Sequence, residues 1–554
     1  MRQLQNLFGA AILFVTALTL SGCGFNDNAL EEIINGGGGS VTAATLSFDE
    51  PATLSMGTLQ GKLKLKLTNT GTSEVTYSSS DPSVATIDPT TGEITAVAAG
   101  ETIIKATVSD NSYDKNEASC TLQVYAGLNY LAWDGTAIAE TNTLTGNVLT
   151  GAISASDLSL TEKNIITGET TIDEDIIKNG TLHIILCDNA TLTVNGCIND
   201  DTSPGLTLSI YAQSKGDQKG KLYVTKENDA AIGDVGGGIE RVDIHGGYME
   251  FKSHGTTTCG CGINGSDVNI YDGEILAQGH CAGGNTDDGI RITGGLNIYG
   301  GKVTAIGGEN NNTTGSLAGG TGIHHTSSSV KILISGDETV VIANGGKSSV
   351  GNGGAGISAS NDIEISGHAK VTTTGGDSDV AEGGRGVWLG SAHYFKTSGN
   401  ATIKATGGNS SGTSNGGNGI YAKLTATGTG SIEATGGNAK GTGDGGPGIS
   451  TSTVTINGFS LLAEGGNGGE TGNGGHGINV TTGLDFNSGS FLSKGGAKGT
   501  SGTSNGQAIN GTFDFDIDFL NAGHPIKGSD DDPDDPETVI PNTGTNIFRY
   551  IKVE

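Results

Sequence analysis

The chain is poor in proline, aromatic residues and basic residues. It has 9 prolines among 554 residues, 5% aromatic residues, and 29 Lys and Arg against 59 Asp and Glu. So little proline excludes a collagen-like chain despite 97 glycines, because a collagen triple helix needs Gly at every third position and abundant Pro. The formal net charge of −30 argues against nucleic acid and anionic lipid surfaces as partners. It is compatible with neutral glycans and with Ca²⁺.

One apolar run near the N-terminus predicts that the chain is exported. Residues 7–20 follow Arg2 and are too short for a membrane span but suit a signal peptide. They lead into Leu20-Ser21-Gly22-Cys23, which resembles the lipobox of bacterial lipoproteins. The resemblance implies a signal peptide at residues 1–22, lipidation of Cys23, and membrane contact through that lipid anchor only. Gly24 at the next position favours the outer membrane and hence the cell surface. Residues 23–41 then form a flexible, glycine-containing tether.

Six further cysteines are present, and three of them lie close to two histidines. An exported protein can form disulfides, and a Cys/His cluster can hold zinc, but this spacing matches no standard zinc finger. A zinc site, a disulfide and buried thiols therefore remain open, and no metal site is assigned. The clustered residues are His254, Cys259, Cys261, His280 and Cys281.

Residues 42–126 show short alternating segments separated by turn residues. Leu63, Leu65 and Leu67 alternate with polar residues, which is the pattern of a half-buried strand. The segment 77–88, Tyr-Ser-Ser-Ser-Asp-Pro-Ser-Val-Ala-Thr-Ile-Asp, precedes Gly92-Glu-Ile-Thr-Ala-Val-Ala-Ala-Gly100. These two runs resemble the signature of the group 2 bacterial immunoglobulin-like domains. The resemblance implies a small β-sandwich that acts as a spacer or as part of an adhesin.

Residues 127–525 contain a unit of about 30 residues that recurs along the chain. A typical copy has Gly followed by an apolar anchor residue, then an apolar-x-apolar-polar-Gly segment, then a second alternating segment. No helical periodicity interrupts them, so the pattern predicts three short strands per copy, coiled as a right-handed parallel β-helix. The expected fold is therefore all-β, with an Ig-like sandwich before a solenoid. The anchors are Ile232, Ile263, Ile290, Ile323, Ile357, Val387, Ile420, Ile449, Ile478 and Ile509.

Glycine-rich runs between copies are expected on one edge of the solenoid, where Gly suits turns with positive φ. Near the end, Phe513, Phe515, Ile517 and Phe519 alternate with three Asp residues, which predicts a last rung or cap. The Asp side chains could bind Ca²⁺, although a solvated outer face is favoured. Apart from that possible Ca²⁺, no cofactor is expected. Residues 526–554 are interpreted as an acidic linker and a C-terminal strand.

Catalytic motifs are weak throughout. Several Gly-x-Ser-x-Gly matches occur, but none lies between a strand and a helix as the esterase mechanism requires. The run Asn285-Thr-Asp287-Asp288-Gly-Ile-Arg291 resembles polygalacturonase motifs, yet in that family the motifs lie on successive rungs. One strand cannot aim adjacent residues at a common point. No catalytic residue is assigned, and the chain is expected not to be an enzyme.

A row of residues offers a better candidate for ligand binding. His245, Tyr271 and Tyr299 each follow the second inward residue of the middle strand, so they should stack on one exposed line about 5 Å apart. Asp243, Asn269 and Asn297 are expected to point outward nearby and could hydrogen-bond sugar hydroxyls. A turn ladder that only stabilises the solenoid is the alternative.

The run Leu296-Asn-Ile-Tyr-Gly-Gly-Lys-Val-Thr-Ala-Ile-Gly-Gly308, with Ala355-Gly-Ile357, resembles the carbohydrate-binding parallel β-helix proteins of bacterial surfaces. The resemblance implies a non-catalytic surface lipoprotein that binds a polysaccharide or a host or cell-surface glycan, or that acts as an adhesin. A polysaccharide-degrading β-helix lyase or hydrolase and a structural surface rod are the alternatives.

Overall fold

The computed structural model describes most of the chain from residue 43 onward. The predicted signal peptide, Cys23 and the predicted tether lie outside the described residues, as do Cys281, Ile517 and Phe519. Within the described part the chain is β-structured, apart from one 3₁₀ turn at Ala155–Asp157. The described residues are 43–49, 52–200, 205–234, 238–256, 258–280, 287–312, 317–516, 525–530, 538–539, 541, 543–545 and 548–553.

The first domain is a sandwich of small sheets. Its buried residues include Met56, Ile94, Ile104 and Leu122. A four-stranded sheet in the order β2-β9-β8-β5 faces a three-stranded sheet in the order β3-β7-β6, and β1 pairs with β4. The Ig-like fold predicted from the sequence is confirmed. The strands are β1 (Leu46–Phe48), β2 (Thr53–Gly57), β3 (Lys62–Lys64), β4 (Leu67–Asn69), β5 (Thr76–Ser79), β6 (Ala85–Ile87), β7 (Glu93–Ala96), β8 (Gly100–Thr107) and β9 (Glu117–Tyr125).

A β-hairpin follows the sandwich directly. It consists of β10 (Leu128–Trp133) and β11 (Ile138–Thr143), which pair antiparallel with each other. Leu128 and Tyr130 are buried against the core of the next domain. The hairpin therefore lies on the solenoid and does not form one of its rungs.

The second domain is a parallel β-helix, as the sequence predicts. Its regular rungs have three strands, which we call the anchor, middle and third strands, and each strand pairs parallel with its equivalent in the next rung. The strands are β12 (Asn147–Ile153), β13 (Asn164–Ile172), β14 (Ile176–Ile177), β15 (Gly180–Leu186), β16 (Thr191–Val194), β17 (Ile198–Asn199), β18 (Leu206–Ala212), β19 (Lys221–Glu227), β20 (Ile239–Ile244), β21 (Tyr248–His254), β22 (Ile263–Ile270), β23 (Glu274–Gln278), β24 (Ile290–Ile292), β25 (Leu296–Ile298), β26 (Lys302–Ile306), β27 (Ile323–His325), β28 (Ile332–Ile334), β29 (Val340–Asn344), β30 (Ile357–Ala359), β31 (Ile363–Ile365), β32 (Lys370–Thr374), β33 (Val387–Leu389), β34 (Tyr394–Gly399), β35 (Thr402–Thr406), β36 (Ile420–Tyr421), β37 (Lys423–Gly428), β38 (Ser431–Thr435), β39 (Ile449–Asn457), β40 (Ser460–Glu464), β41 (Ile478–Ser488), β42 (Phe491–Lys494), β43 (Ile509–Asn510) and β44 (Thr512–Phe515).

The anchor residues form one continuous buried column. Each anchor pairs with the anchor of the next rung, beginning with Ile232 opposite Ile263 and ending with Ile478 opposite Ile509. All of them are fully buried. The predicted period is confirmed because every rung must place an apolar residue at the same interior position.

The glycine-rich edge differs from its expected structure. Gly346, Gly376, Gly408, Gly437 and Gly466 lie one above another, and a Cβ on each of the last four would approach the carbonyl oxygen of the preceding one within 2.0 Å. None of these residues has the left-handed φ that the sequence argument assumed. Glycine is needed here because the backbones of adjacent rungs touch. Positive φ recurs instead at the turn between middle and third strands, as at Gly336 and Gly367, and on the glycine-rich edge it occurs at Gly441.

The C-terminal end is closed by antiparallel strands. They are β45 (Ile526–Ser529), β46 (Thr538–Val539), β47 (Thr543–Thr545) and β48 (Tyr550–Val553). The strand β48 pairs antiparallel with β42 of the last rungs and with β45. Ile551 and Val553 are buried in the same core as the rungs. These residues thus cap the solenoid.

Candidate functional site

The predicted aromatic row is one stack of rings. The ring centroids of His245 and Tyr271 lie 4.8 Å apart, and those of Tyr271 and Tyr299 lie 5.6 Å apart with their planes nearly parallel. The backbone N–H of Tyr271 donates to the carbonyl of Ile244 in the preceding rung at 2.8 Å. The stack therefore follows from the register of the middle strands.

The stack is longer than the sequence argument placed it. Tyr211 stacks on His245 at 4.5 Å, one rung earlier, and His183 lies tilted against Tyr211 at 5.9 Å. The signal for Tyr211 was present, since Leu208-Ser-Ile-Tyr211 repeats the apolar-x-apolar-aromatic pattern.

The hairpin covers this stack. The indole of Trp133 stacks on Tyr271 at 4.9 Å and on Tyr299 at 5.2 Å. The backbone N–H of Trp133 donates to Nδ1 of His245 at 3.0 Å, and Tyr130 meets Tyr211 edge-on. The expectation that the row is exposed is therefore wrong for His245, which is only 8% exposed, while Tyr271 and Tyr299 are half-buried. Nothing local in the sequence indicated where the apolar side of the hairpin would pack.

Burial also sets the charge state of the row. It lowers the pKa of His245 to about 4, partly opposed by Asp243. Burial raises the pKa of Tyr211 to about 12. His245 is consequently neutral at neutral pH, and its Nδ1 accepts the hydrogen bond from the hairpin.

The polar residues beside the row bind one another. Nδ2 of Asn269 donates to Asp243 at 2.8 Å, and Nδ2 of Asn297 donates to Oδ1 of Asn269 at 2.9 Å. Nε of Arg241 also donates to Asp243, at 2.9 Å. Asn269 is buried. These contacts form an amide ladder that ties successive rungs together.

The carboxylate pair of the polygalacturonase-like run is buried. Asp288 accepts hydrogen bonds from Arg291 Nε at 2.8 Å and from the backbone N–H of Thr321 at 2.8 Å, and it contacts Nδ1 of His324 at 2.9 Å. Although burial raises the pKa of Asp288, His324 and Arg291 lower it overall. Burial raises the pKa of Asp287 to about 6. Asp288 joins the anchor strands of two rungs, as expected of a structural carboxylate.

The described cysteines are buried, and no disulfide joins two of them. They are Cys120, Cys187, Cys197, Cys259 and Cys261. Among the residues that the structure describes, no group of three or more His, Cys, Asp or Glu side chains is arranged to hold a metal ion. Cys281 lies outside those residues, so the alternatives that involve it stay predictions.

A second aromatic surface is open, and the sequence argument missed it. Trp388 and Tyr421 are paired residues on neighbouring anchor strands, β33 and β36. The guanidinium carbon of Arg385 lies over both rings, 5.1 Å from the Trp388 ring and 5.2 Å from the Tyr421 ring. Trp388 is still 45% exposed. The available signal was an aromatic residue directly after two consecutive anchors, Val387 and Ile420.

A cavity of about 150 Å³ adjoins this surface. Tyr421 forms part of its wall and Lys423 is its charged residue. The ammonium of Lys423 lies 5.1 Å from the ring centroid of Tyr394. The remaining lining residues are small or hydroxylated: Ser391, Ala422, Ser450, Thr451, Ser452 and Thr481. We call Arg385, Trp388, Tyr421 and this cavity the open aromatic face.

Similarity to a known protein family is found in the first domain. Residues 40–118 match the family model of the bacterial Ig-like domain (group 2). No curated protein matches the chain. In the described part of the chain, no helix is long and apolar enough to cross a membrane. Ig-like domains of this group are typical of bacterial surface proteins, and with the β-helix they fit a surface or glycan-interacting protein.

Proposed function

We propose that this chain is a non-catalytic, lipid-anchored cell-surface protein that binds a glycan through the open aromatic face. The observation that carries the proposal is the exposure of Trp388, 45%, on a solenoid that buries most of its large apolar side chains. An indole on a rigid sheet offers a flat apolar surface at little cost in conformational entropy. The apolar side of a sugar ring can pack against such a surface.

The neighbours of Trp388 supply the polar part of a sugar site. Arg385 holds the two rings in place through cation–π contacts. The hydroxyl-bearing residues Ser450, Thr451 and Thr481 line the adjoining cavity. A sugar site needs this combination of an apolar platform and a few oriented hydrogen-bonding groups.

In this proposal the row of His245, Tyr271 and Tyr299 has a structural role and does not bind the glycan. Trp133 already occupies the ring surfaces that a sugar would use, and the amide groups nearby bond to one another. The row then fastens the hairpin to the solenoid, while the open aromatic face is the surface available to a ligand.

The proposal is tested on a glycan array. The protein is the chain from Gly24 onward, which lacks only the leader and the acylated cysteine that the sequence predicts. Trp388→Ala should weaken binding at least about tenfold, the usual effect of truncating a central aromatic contact. Val380→Ala is the matched control, because Val380 is an exposed apolar residue, 51%, elsewhere on the solenoid. Equal binding by the wild type and Trp388→Ala would contradict the proposal.

The same samples distinguish binding from degradation. The raised pKa of Asp287 beside the lowered pKa of Asp288 is the feature that favours the enzyme alternative, since acid–base pairs in enzymes are tuned in this way. The binding proposal predicts no new reducing ends and no unsaturated products from any bound glycan. Product formation by the wild type that Asp287→Asn abolishes would favour the enzyme.

A further inference from the structure

Lys423 is the charged side chain of the cavity beside Trp388. The lining contains no carboxylate, although acidic residues outnumber basic ones two to one in the chain, 59 against 29. The cavity is thus a locally positive point on a protein of net charge −30.

The contacts of Lys423 differ from those of several other lysines on the solenoid. Lys396 pairs with Asp362 at 2.7 Å, and Lys331 and Lys404 pair with Glu364 and Glu433. Among the described residues, no carboxylate lies within ion-pair distance of Lys423. Its ammonium group lies over the Tyr394 ring and donates a long hydrogen bond of 3.5 Å to the carbonyl of Ala392. The ammonium group therefore keeps hydrogen-bonding capacity for a further partner.

A second polar group at the cavity is buried without a hydrogen-bond partner among the described residues. This group is the hydroxyl oxygen of Ser452. A buried hydroxyl without a partner costs free energy, and a ligand oxygen would remove that cost if the Ser452 side chain turned towards the cavity. Ser452 and Lys423 line the same cavity as Tyr421.

We infer that the cavity binds the anionic group of an acidic sugar, with Lys423 as its counter-ion and the ring of that sugar on the Trp388–Tyr421 surface. This inference rests on the proposed glycan-binding function. The shared chemistry is an anionic oxygen group, either a carboxylate or a sulfate ester. A hydrogen bond to a charged partner contributes more than a neutral one.

The net charge restricts the ligand further. A protein of net charge −30 repels a uniformly charged polyanion over distances comparable to the Debye length, about 8 Å at physiological ionic strength. A glycan in which acidic sugars are sparse among neutral ones meets the local cation of the cavity and avoids most of this repulsion. The favoured ligand is therefore a mostly neutral chain that bears isolated acidic sugars.

The test compares matched oligosaccharides by calorimetry with the chain from Gly24 onward. The ligands are one oligosaccharide with a single uronate, its carboxyl-reduced neutral form, its sulfate-ester analogue, and a polyuronate. The wild type should bind the uronate or the sulfate form about tenfold more tightly than the neutral form, which corresponds to one charge-assisted hydrogen bond. The preferred form identifies the anionic group, and the polyuronate should bind more weakly than the preferred form.

Two lysine variants separate the possible outcomes. Lys423→Gln should bind the acidic and neutral forms equally, whereas Lys440→Gln should keep the preference, because Lys440 is exposed on the glycine-rich edge and changes the net charge by the same amount. If the wild type binds both forms equally and Trp388→Ala abolishes both, the inference about acidic sugars is wrong and the proposed function stands. If neither form binds and the array shows no ligand, both are wrong.

Discussion

At the residue scale, glycine in this protein serves two different structural needs. At Gly336 and Gly367 the backbone takes positive φ at the turn after the middle strand, a conformation that other residues rarely adopt. At Gly437 the need is space: a Cβ would lie 1.9 Å from the carbonyl oxygen of Gly408 in the preceding rung. The sequence shows where glycines recur, but it does not separate these two needs, because the close approach exists only between rungs.

Replacing Gly437 by alanine tests the need for space. The added methyl group meets backbone atoms, which cannot move aside as a side-chain end can, so Gly437→Ala should destabilise the solenoid by about 3 kcal/mol or more. Gly216→Ala is the matched control, because a Cβ there meets nothing within 4 Å and φ is not left-handed. Thermal unfolding should show a lower midpoint for the first variant only. Equal midpoints would show that the glycine column does not depend on backbone contact.

At the element scale, the hairpin β10–β11 decides which aromatic residues a ligand can reach. The rows of residues within the solenoid could be predicted, because burial imposes one period on every rung. The position of the hairpin could not, because Trp133 packs on residues more than a hundred positions later in the chain, His245 among them. The same limit explains why the sequence did not predict the open aromatic face. The exposure of Trp388 depends on how distant elements pack, and the local sequence does not show this.

The hairpin contact should depend on pH through His245. The pKa of His245 in the folded protein is about 4, against an ordinary value of 6.5. As the pH falls, His245 is therefore protonated more readily when the hairpin is detached than when it is bound. The contact is therefore fully stable above pH 6.5 and loses stability as the pH falls from 6.5 towards 4. Protonated Nδ1 also can no longer accept the N–H of Trp133.

Tryptophan fluorescence measures this release. In a Trp388→Phe variant Trp133 is the remaining tryptophan of the two in the chain, and its emission should shift to longer wavelength between pH 6.5 and 4. Adding His245→Gln should remove the part of the shift that comes from the histidine. An identical pH profile in both variants would assign the change to other groups, such as the carboxylates.

At the scale of the whole molecule, the solenoid needs closed ends. A β-helix cut across a rung presents unpaired strand edges that can join another molecule. Here β48 pairs antiparallel with β42 at the C-terminal end of the solenoid. The sandwich contacts the N-terminal rungs, where Gln213 Nε2 donates to Oε1 of Gln60 at 2.8 Å. The sequence predicted a last rung or cap from the apolar alternation near residue 513, and β44 is a parallel last rung. It did not predict that the strands beyond this rung reverse direction.

Removing residues 525–554 should therefore cause association through the exposed edge of the last rung. Light scattering after size-exclusion chromatography should show dimers and larger species for the truncated chain and monomers for the intact one. Adding Leu492→Lys to the truncated chain should reduce association, because a charged side chain on an edge strand disfavours pairing. A truncated chain that stays monomeric would show that the antiparallel strands are dispensable as a cap.

The central claim is that a glycan contacts Trp388 and not the covered row, and fluorescence titration tests it most directly. In Trp133→Phe the emission reports Trp388, and in Trp388→Phe it reports Trp133. With a glycan identified on the array, the account predicts a saturable change in emission from Trp388 and none from Trp133. Binding that changes the emission of Trp133 and leaves that of Trp388 unchanged would contradict the account and place the ligand on the row of His245, Tyr271 and Tyr299.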